Sequence, residues 1–102
     1  MAHFELAPGQ VSKAVRHQSV EEIWYCVSGV GEMWRKQGSE ESVETLAPGT
    51  CLTISLGTHF QFRAGDEGLT AVAVTMPPWP GEDEAEFVEG LWEADQGGGK
   101  RR

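Results

Sequence analysis

The fold is predicted from residues Glu21–Gly29, which have the sequence EEIWYCVSG. The centre of this stretch, Ile23–Val27, combines β-branched and aromatic side chains, which favour the pleated, half-buried surface of a strand. Because alternate residues of a strand share a face, we expect Glu22 on the same face as Trp24 and Cys26. If that face points inward, the Glu22 carboxylate enters an apolar interior, where it needs a hydrogen-bonding partner, a metal or a proton. We therefore expect any chemistry of this protein to lie around Glu22.

Strand-like runs and glycine-bearing turns alternate around this stretch through residues 1–75. Gly29–Gly31 is predicted to form a tight turn, with Glu32–Arg35 running back as the partner strand of a hairpin. The other predicted strands are Phe4–Leu6, Val11–His17, Ser42–Leu46, Thr50–Leu56, His59–Arg63 and Leu69–Met76, with a charged loop at Ala64–Gly68. Apolar residues do not recur at helical spacing here, so about eight short strands indicate an all-β sandwich or barrel.

The sequence after Met76 differs from the strand region. The run Pro77–Gly81, PPWPG, ends the barrel because proline neither donates to a strand ladder nor continues a helix. The acidic segment that follows carries large apolar side chains, which we expect to pack on a barrel surface. These are Trp79 and at least one of Phe87, Leu91 and Trp92. The predicted organisation is a single domain over 1–93, with a barrel core at about 10–76, an arm at 77–93 and a flexible tail at 94–102.

The composition is that of one acidic globular domain. The chain has 102 residues, a formal net charge of −8 and a pI of about 4.7. An acidic surface repels phosphate backbones, so we expect no nucleic-acid partner. The N-terminus lacks the basic and apolar regions of a signal peptide, and no apolar run approaches the roughly 20 residues that span a bilayer. We expect a cytoplasmic protein without a membrane partner, whose Cys26 and Cys51 are buried free thiols.

The spacing of His17, Glu22 and Gly29 resembles the first motif of the cupin superfamily. That motif is a His-x-His pair, three or four residues, a Glu, six residues and a Gly. Four residues separate His17 from Glu22 and six separate Glu22 from Gly29, which fits. Val15 stands where the family has its first histidine.

The second cupin motif, Gly, five residues, Pro-x-Gly, two residues, His, is matched less completely. Gly49 and Gly57 fall in place, but Ser55 stands at the proline position. Phe60 stands at the histidine position, with His59 one residue early. The chain is therefore similar to a small single-domain cupin with degenerate metal motifs.

The resemblance implies a double-stranded β-helix, the cupin jelly-roll barrel, with a C-terminal arm and a small-molecule ligand. It also implies a homodimer, which would protect the sheet edges. Metal-binding cupins hold iron, manganese, nickel or zinc with three histidines and a glutamate. Here His17, Glu22 and His59 would form such a site only if His59 turned inward. The register of His59–Arg63 with the lower free energy buries Phe60 and Phe62 and leaves His59, Gln61 and Arg63 toward solvent, so no cofactor is favoured.

The function that we expect from these residues is that of a small-molecule-binding cupin enzyme. His17 and Glu22 would be its catalytic acid and base, in isomerase, epimerase or cyclase chemistry on a small polar substrate. Trp24, Phe60 and Phe62 would line the substrate site in the barrel lumen.

Two alternatives to this function stay open. The first is a metal-dependent oxygenase or lyase that uses His17, Glu22 and His59. The second is a non-catalytic ligand-binding module in which His17 and Glu22 form a plain polar network. Arg35 and Arg63 are strand-end cations that could hold a ligand carboxylate or phosphate, although pairing with surface acids is more common.

Overall fold

The structure, a computed structural model, describes residues 1–77, 84–94 and 100–101. The strands of these residues are β1 Ala2–Leu6, β2 Val15–His17, β3 Glu21–Gln37, β4 Glu40–Leu46, β5 Cys51–Ile54, β6 His59–Met76, β7 Ala85–Phe87 and β8 Lys100–Arg101. They pair antiparallel in one continuous sheet. Among the described residues, no helix has the length and apolar character to cross a membrane.

Two long strands, β3 and β6, make the sheet fold back on itself. Their halves Glu21–Gly29 and Leu69–Met76 pair with each other and are flanked by β1 and β5, which we call the first half-sheet. The halves 31–36 and 59–64 pair in the same way, flanked by β2 and β4, in what we call the second half-sheet. The half-sheets face each other, because Phe62 of the second contacts Trp24 of the first at a ring-centroid distance of 4.8 Å. The all-β jelly-roll barrel that the sequence predicts is confirmed.

The predicted hairpin at Gly29–Gly31 is wrong, because β3 continues without reversal through these residues. The register of β3 against β6 shifts at this point, where the strand leaves one half-sheet for the other. A Cβ atom at Gly29 would overlap the carbonyl oxygen of Gly68, and one at Gly31 would overlap that of Arg63. The glycines therefore permit a close approach of two strands rather than a chain reversal.

The predicted charged loop at Ala64–Gly68 is wrong for a related reason, since these residues continue β6 between its two halves. Gly68 adopts a φ of 80° there, in the left-handed region that favours glycine. Charged side chains at this bend face solvent without breaking the strand, which composition alone does not distinguish from a loop.

The apolar core lies between the two half-sheets. Its buried members are Ala2, Phe4, Leu6, Trp24, Cys26, Met33, Leu46, Ile54, Phe60, Phe62, Ala64, Leu69, Ala71 and Ala73. The strand β1 contributes three of them. Cys26 is buried as expected, but Cys51 on β5 is exposed, and that expectation was wrong.

The described part of the C-terminal segment packs on the outside of the barrel. β7 pairs with β2, and Val88 N–H donates to the Ala14 carbonyl at 3.0 Å. Trp92 is half-buried, as the arm prediction requires, while Phe87 and Leu91 are exposed. Trp79 and most of the predicted flexible tail lie outside the described residues. The backbone of β8 pairs with β1.

Candidate functional site

The strands β2 and β3 bring His17 and Glu22 together in the interior. Nδ1 of His17 lies 3.4 Å from Oε1 of Glu22, and their side chains are 1% and 0% exposed. The same Oε1 accepts a hydrogen bond from Nε1 of Trp24 at 3.2 Å. Glu21 is exposed, as the strand alternation predicts. One carboxylate oxygen is thus shared by an imidazole and an indole, in a group that we call the polar triad, His17, Glu22 and Trp24.

Aromatic rings fill the space beside the polar triad. Phe60 meets the His17 ring edge-on at 5.2 Å and lies 6.1 Å from the Trp24 ring. Trp24 also stacks on Phe4 at 4.5 Å, and it meets Phe62 edge-on. None of Trp24, Phe60 and Phe62 is more than 5% exposed. The three residues predicted to line a substrate site therefore pack against one another, and their role in binding stays a prediction.

The structure separates His59 from the other two residues of the conditional metal site. His59 is half-buried and alternates with the inward-facing Phe60, so it lies on the opposite face of β6. Phe60 is the residue that contacts His17 in its place. Among the described residues, no group of three His, Cys, Asp or Glu side chains is placed to hold a metal. His17 and Glu22 supply two ligands where protein sites use three or more, so these residues do not fit an iron, manganese, nickel or zinc ion.

Gln61 is buried, although the sequence predicts it toward solvent. Its Nε2 donates to the carbonyls of Ser12 at 2.9 Å and Trp92 at 2.7 Å, and its Oε1 accepts from Trp92 N–H at 2.8 Å. The C-terminal segment covers this outer face of β6, which the local alternation of His59–Arg63 cannot reveal. The prediction was wrong because a distant segment supplies the burial.

A buried carboxylate that the sequence did not single out anchors the start of the C-terminal segment. Glu84 accepts hydrogen bonds from the backbone N–H groups of Ser19 and Val20, at 2.5 and 3.0 Å, and from the Ser19 hydroxyl. Burial raises the pKa of Glu84, but these hydrogen bonds outweigh it and bring the pKa below its ordinary value of 4.5. The next residue, Ala85, pairs with His17, so Glu84 fixes the segment beside the polar triad. One Glu among many acids gives no sequence signal of this role.

The two cations that the sequence singled out have different surroundings. Arg63 donates to Oε1 of Glu32 and lies over the Trp92 ring at 4.2 Å, so it is a paired surface cation. Arg35 lines an open polar cleft of about 240 Å³ beside the turn that joins β5 to β6. The other residues that line it are Gln37, Glu40, Glu41, Ser42, Thr53, Ser55 and Thr58.

Comparison with solved structures gives similar barrels in proteins of different kinds. A variant of oxalate decarboxylase from Bacillus subtilis is 16% identical, with a TM-score of 0.79 over 85% of this chain and 23% of that one. An 11S globulin from Wrightia tinctoria, with an auxin binding site, is 17% identical, with a TM-score of 0.73 over 84% of this chain and 21% of that one. The cupin domain of Drosophila melanogaster CENP-C is 15% identical, with a TM-score of 0.68 over 74% of this chain and 56% of that one. At these identities the likeness shows the fold alone.

This chain spans only part of each of those proteins, between about a fifth and three fifths of their length. Comparison with curated proteins gives no match. The sequence pattern of the family described as Cupin domain matches residues 2–76, from β1 to the end of β6. The chain therefore belongs to the cupin family.

Proposed function

We propose that this cupin is a non-catalytic module that binds small molecules outside its lumen, and that its polar triad stabilises the barrel. The observation that carries the proposal is the closure of the interior. His17 and Glu22 are almost completely buried, and the ring of Phe60 covers His17. A general acid or base must come within hydrogen-bonding distance of the proton that it transfers. The closed interior leaves no room for a substrate at that distance from His17 or Glu22.

Small-molecule binding fits the family and the surface of this chain. The similar globulin from Wrightia tinctoria carries a site for auxin, a small organic molecule. In this chain the polar cleft beside Arg35 is open, whereas the lumen is packed with rings. Ligand pockets combine concave shape with a few polar groups that fix orientation, and the cleft has both.

A deuterium wash-in experiment tests the non-catalytic part of this proposal. Isomerases and epimerases of the acid–base type exchange substrate protons next to a carbonyl with solvent. The full chain is incubated in D₂O with a panel of small keto and hydroxy acids and sugars, followed by proton NMR. We expect no exchange above that of the Glu22→Gln variant. Exchange by the wild type that is lost in Glu22→Gln, but kept in the matched outward-facing Glu21→Gln, would contradict the proposal.

The second candidate is the acid–base enzyme, an isomerase, epimerase or cyclase, with His17 and Glu22 as its catalytic residues. The contact of Nδ1 of His17 with Oε1 of Glu22 favours it, because a carboxylate that orients an imidazole is a common acid–base arrangement. In this reading Phe60 swings away to admit substrate. A Phe60→Ala variant would then exchange protons faster than the wild type, and absence of exchange in both would exclude the candidate.

We also propose a homodimer, formed through the outer face of the first half-sheet. Large apolar side chains line up there, because Ile23 pairs with Val74 and Tyr25 with Val72. Ile23, Tyr25 and Val74 are 37–47% exposed. A chain with a net charge of −8 repels its own copies least across an apolar surface. The apolar row on this face provides one, with the exposed Glu21 at its end.

Light scattering tests the dimer. The wild type is expected at twice the chain mass of 11.1 kDa, and Tyr25→Arg at the chain mass. The control is Val43→Arg, which places the same charge on exposed β4. A monomeric wild type, or a dimer that survives Tyr25→Arg, would exclude this interface.

A further inference from the structure

The polar cleft is built around a cation on the inward side of the second half-sheet. Arg35 lies opposite Phe60 of β6 and Ser42 of β4 in the strand register. Across the cleft, Thr53 and Ser55 flank Ile54, whose strand partner is Glu22. The cleft therefore lies at the end of the barrel. The inward side chains of the strands beneath it form the polar triad and the group of aromatic rings beside that triad.

The guanidinium of Arg35 is held at one side and has donors to spare. Nη1 donates to the Thr53 carbonyl at 2.8 Å, which fixes the plane of the group. Nη2 lies 3.6 Å from Oε1 of Glu44, beyond hydrogen-bonding distance. Nε has no hydrogen-bond partner among the described residues but is buried, so the donors left for a ligand are those of Nη1 and Nη2. A guanidinium carries five N–H donors, so this one can donate hydrogen bonds to a planar anion at its Nη edge while it keeps its hydrogen bond to the Thr53 carbonyl.

The acids around Arg35 limit the charge of that anion. Glu40 and Glu41 line the cleft, and Glu44 faces Arg35 from the neighbouring strand. The carboxylate of Glu41 is engaged, since it accepts a hydrogen bond from Nε1 of Trp34 at 2.8 Å. These acids make the surroundings of Arg35 net negative, so an anion gains only from direct contact with the guanidinium, and a dianion is repelled more strongly than a monoanion.

Hydroxyl and amide groups make up most of the remaining lining. Ser42, Ser55, Thr58 and Gln37 can each donate and accept hydrogen bonds, which suits a ligand with several hydroxyl groups. The volume of about 240 Å³ is below the roughly 300–1,000 Å³ of sites for drug-sized ligands. It fits a molecule of the size of one sugar ring.

From these contacts we infer that the cleft binds a small hydroxylated monocarboxylate, such as a sugar acid, with its carboxylate on Arg35 and its hydroxyl groups on the serine and threonine side chains. This inference rests on the proposed function and names its ligand class. Glu44 competes with the ligand for Arg35, so it weakens binding.

The test is an NMR titration of the uniformly labelled full chain with D-glucuronate. Methyl glucoside serves as the uncharged analogue and inorganic phosphate as the more highly charged anion. We expect saturable amide shifts at Arg35, Ser42, Ser55 and Thr58 with glucuronate, and at least about tenfold weaker binding of the other two probes. Binding should weaken as salt is added.

Two variants give effects of opposite sign. Arg35→Gln should weaken glucuronate binding about tenfold or more, and Glu44→Gln should tighten it. Arg63→Gln is the matched control, because it removes a cation that is already paired with Glu32. The amide spectrum of each variant reports whether it folds, so a loss of binding by unfolding is recognised directly.

The outcomes separate this inference from the proposed function. Methyl glucoside that binds as tightly as glucuronate, or binding unchanged in Arg35→Gln, overturns the ligand class while the cleft stays a binding site. Absence of saturable shifts at the cleft with glucuronate also overturns the inference. The non-catalytic proposal is judged separately, by the deuterium exchange experiment.

Discussion

Removing either member of the buried pair of His17 and Glu22 should destabilise the protein strongly. Both side chains are at most 1% exposed, so the survivor of a single substitution stays in the interior with less compensation. Removing one partner of a buried hydrogen-bonding pair costs about 1–3 kcal/mol, and more if the pair is charged. Glu22→Leu also takes the acceptor from Nε1 of Trp24, and an unsatisfied buried donor costs about 1–3 kcal/mol. We therefore expect Glu22→Leu to cost at least as much as His17→Leu.

The double variant distinguishes a network from two independent residues. With both side chains replaced by leucine, neither member of the pair is left buried without the other, so the loss should be smaller than the sum of the single losses by about 1–3 kcal/mol. Urea unfolding of the four proteins measures this coupling, with an unchanged m-value as the sign that the folded state is intact. Glu21→Leu is the matched control on the exposed face of β3, with an expected change within about 0.5 kcal/mol.

The opposite result would show that the pair does not stabilise the barrel. Single variants that are neutral or stabilising, and that add in the double variant, would mean that the fold holds the pair at a cost. Active sites are commonly held in this way, at the expense of stability. The acid–base candidate would then replace the non-catalytic module.

Three further predictions concern the contacts that shape the barrel. In urea unfolding, Gly29→Ala should prevent folding or lower the stability several times more than Gly9→Ala. Both glycines have a positive φ, but only Gly29 contacts another strand closely. Equal losses of stability in the two variants would contradict this. Since the pKa of Glu84 is lowered in the folded protein, the ionised Glu84 side chain stabilises the fold at a pH above 4.5, and this stabilisation is lost as the pH falls below that value. Glu84→Gln should therefore be less stable than the wild type at neutral pH. Its urea unfolding midpoint should also fall less steeply than that of the wild type as the pH is lowered. An equally steep fall in both proteins would exclude this role of Glu84. Gln61→Leu should release the segment around Trp92 and speed proteolysis there, measured by mass spectrometry, whereas an unchanged rate would show that other contacts hold the segment.

The fold was predictable because the sequence alternates where one face is buried. Glu22, Trp24 and Cys26 fall on the inward side of β3, and Phe60 and Phe62 on that of β6, as period-2 geometry requires. The course of the strands was less predictable. A glycine at a chain reversal and a glycine at a close approach look the same in sequence, and only the position of Gly68 opposite Gly29 distinguishes them.

The candidate site, like the fold, was predictable only where the signal lies in the local sequence. Local spacing brings His17 and Glu22 to one interior, since each lies on a strand with a defined inward face. Burial by a distant segment has no local signal, which explains why Gln61 was placed in solvent and why Glu84 was not singled out. Whether a lumen is open depends on how rings from several strands pack, and a pattern along one strand does not contain that information.

The chemical accessibility of His17 shows whether the interior of the barrel is closed to substrates, as the non-catalytic function requires. Diethyl pyrocarbonate, a reagent of the size of a small substrate, modifies accessible imidazoles, and mass spectrometry resolves the three histidines of this chain. We expect His3, whose side chain is 40% exposed, to be modified rapidly in the native protein. We expect His17 to be protected until the chain unfolds in urea. Modification of native His17 at a rate comparable to that of His3 would show that small molecules reach the polar triad, and would contradict the non-catalytic function.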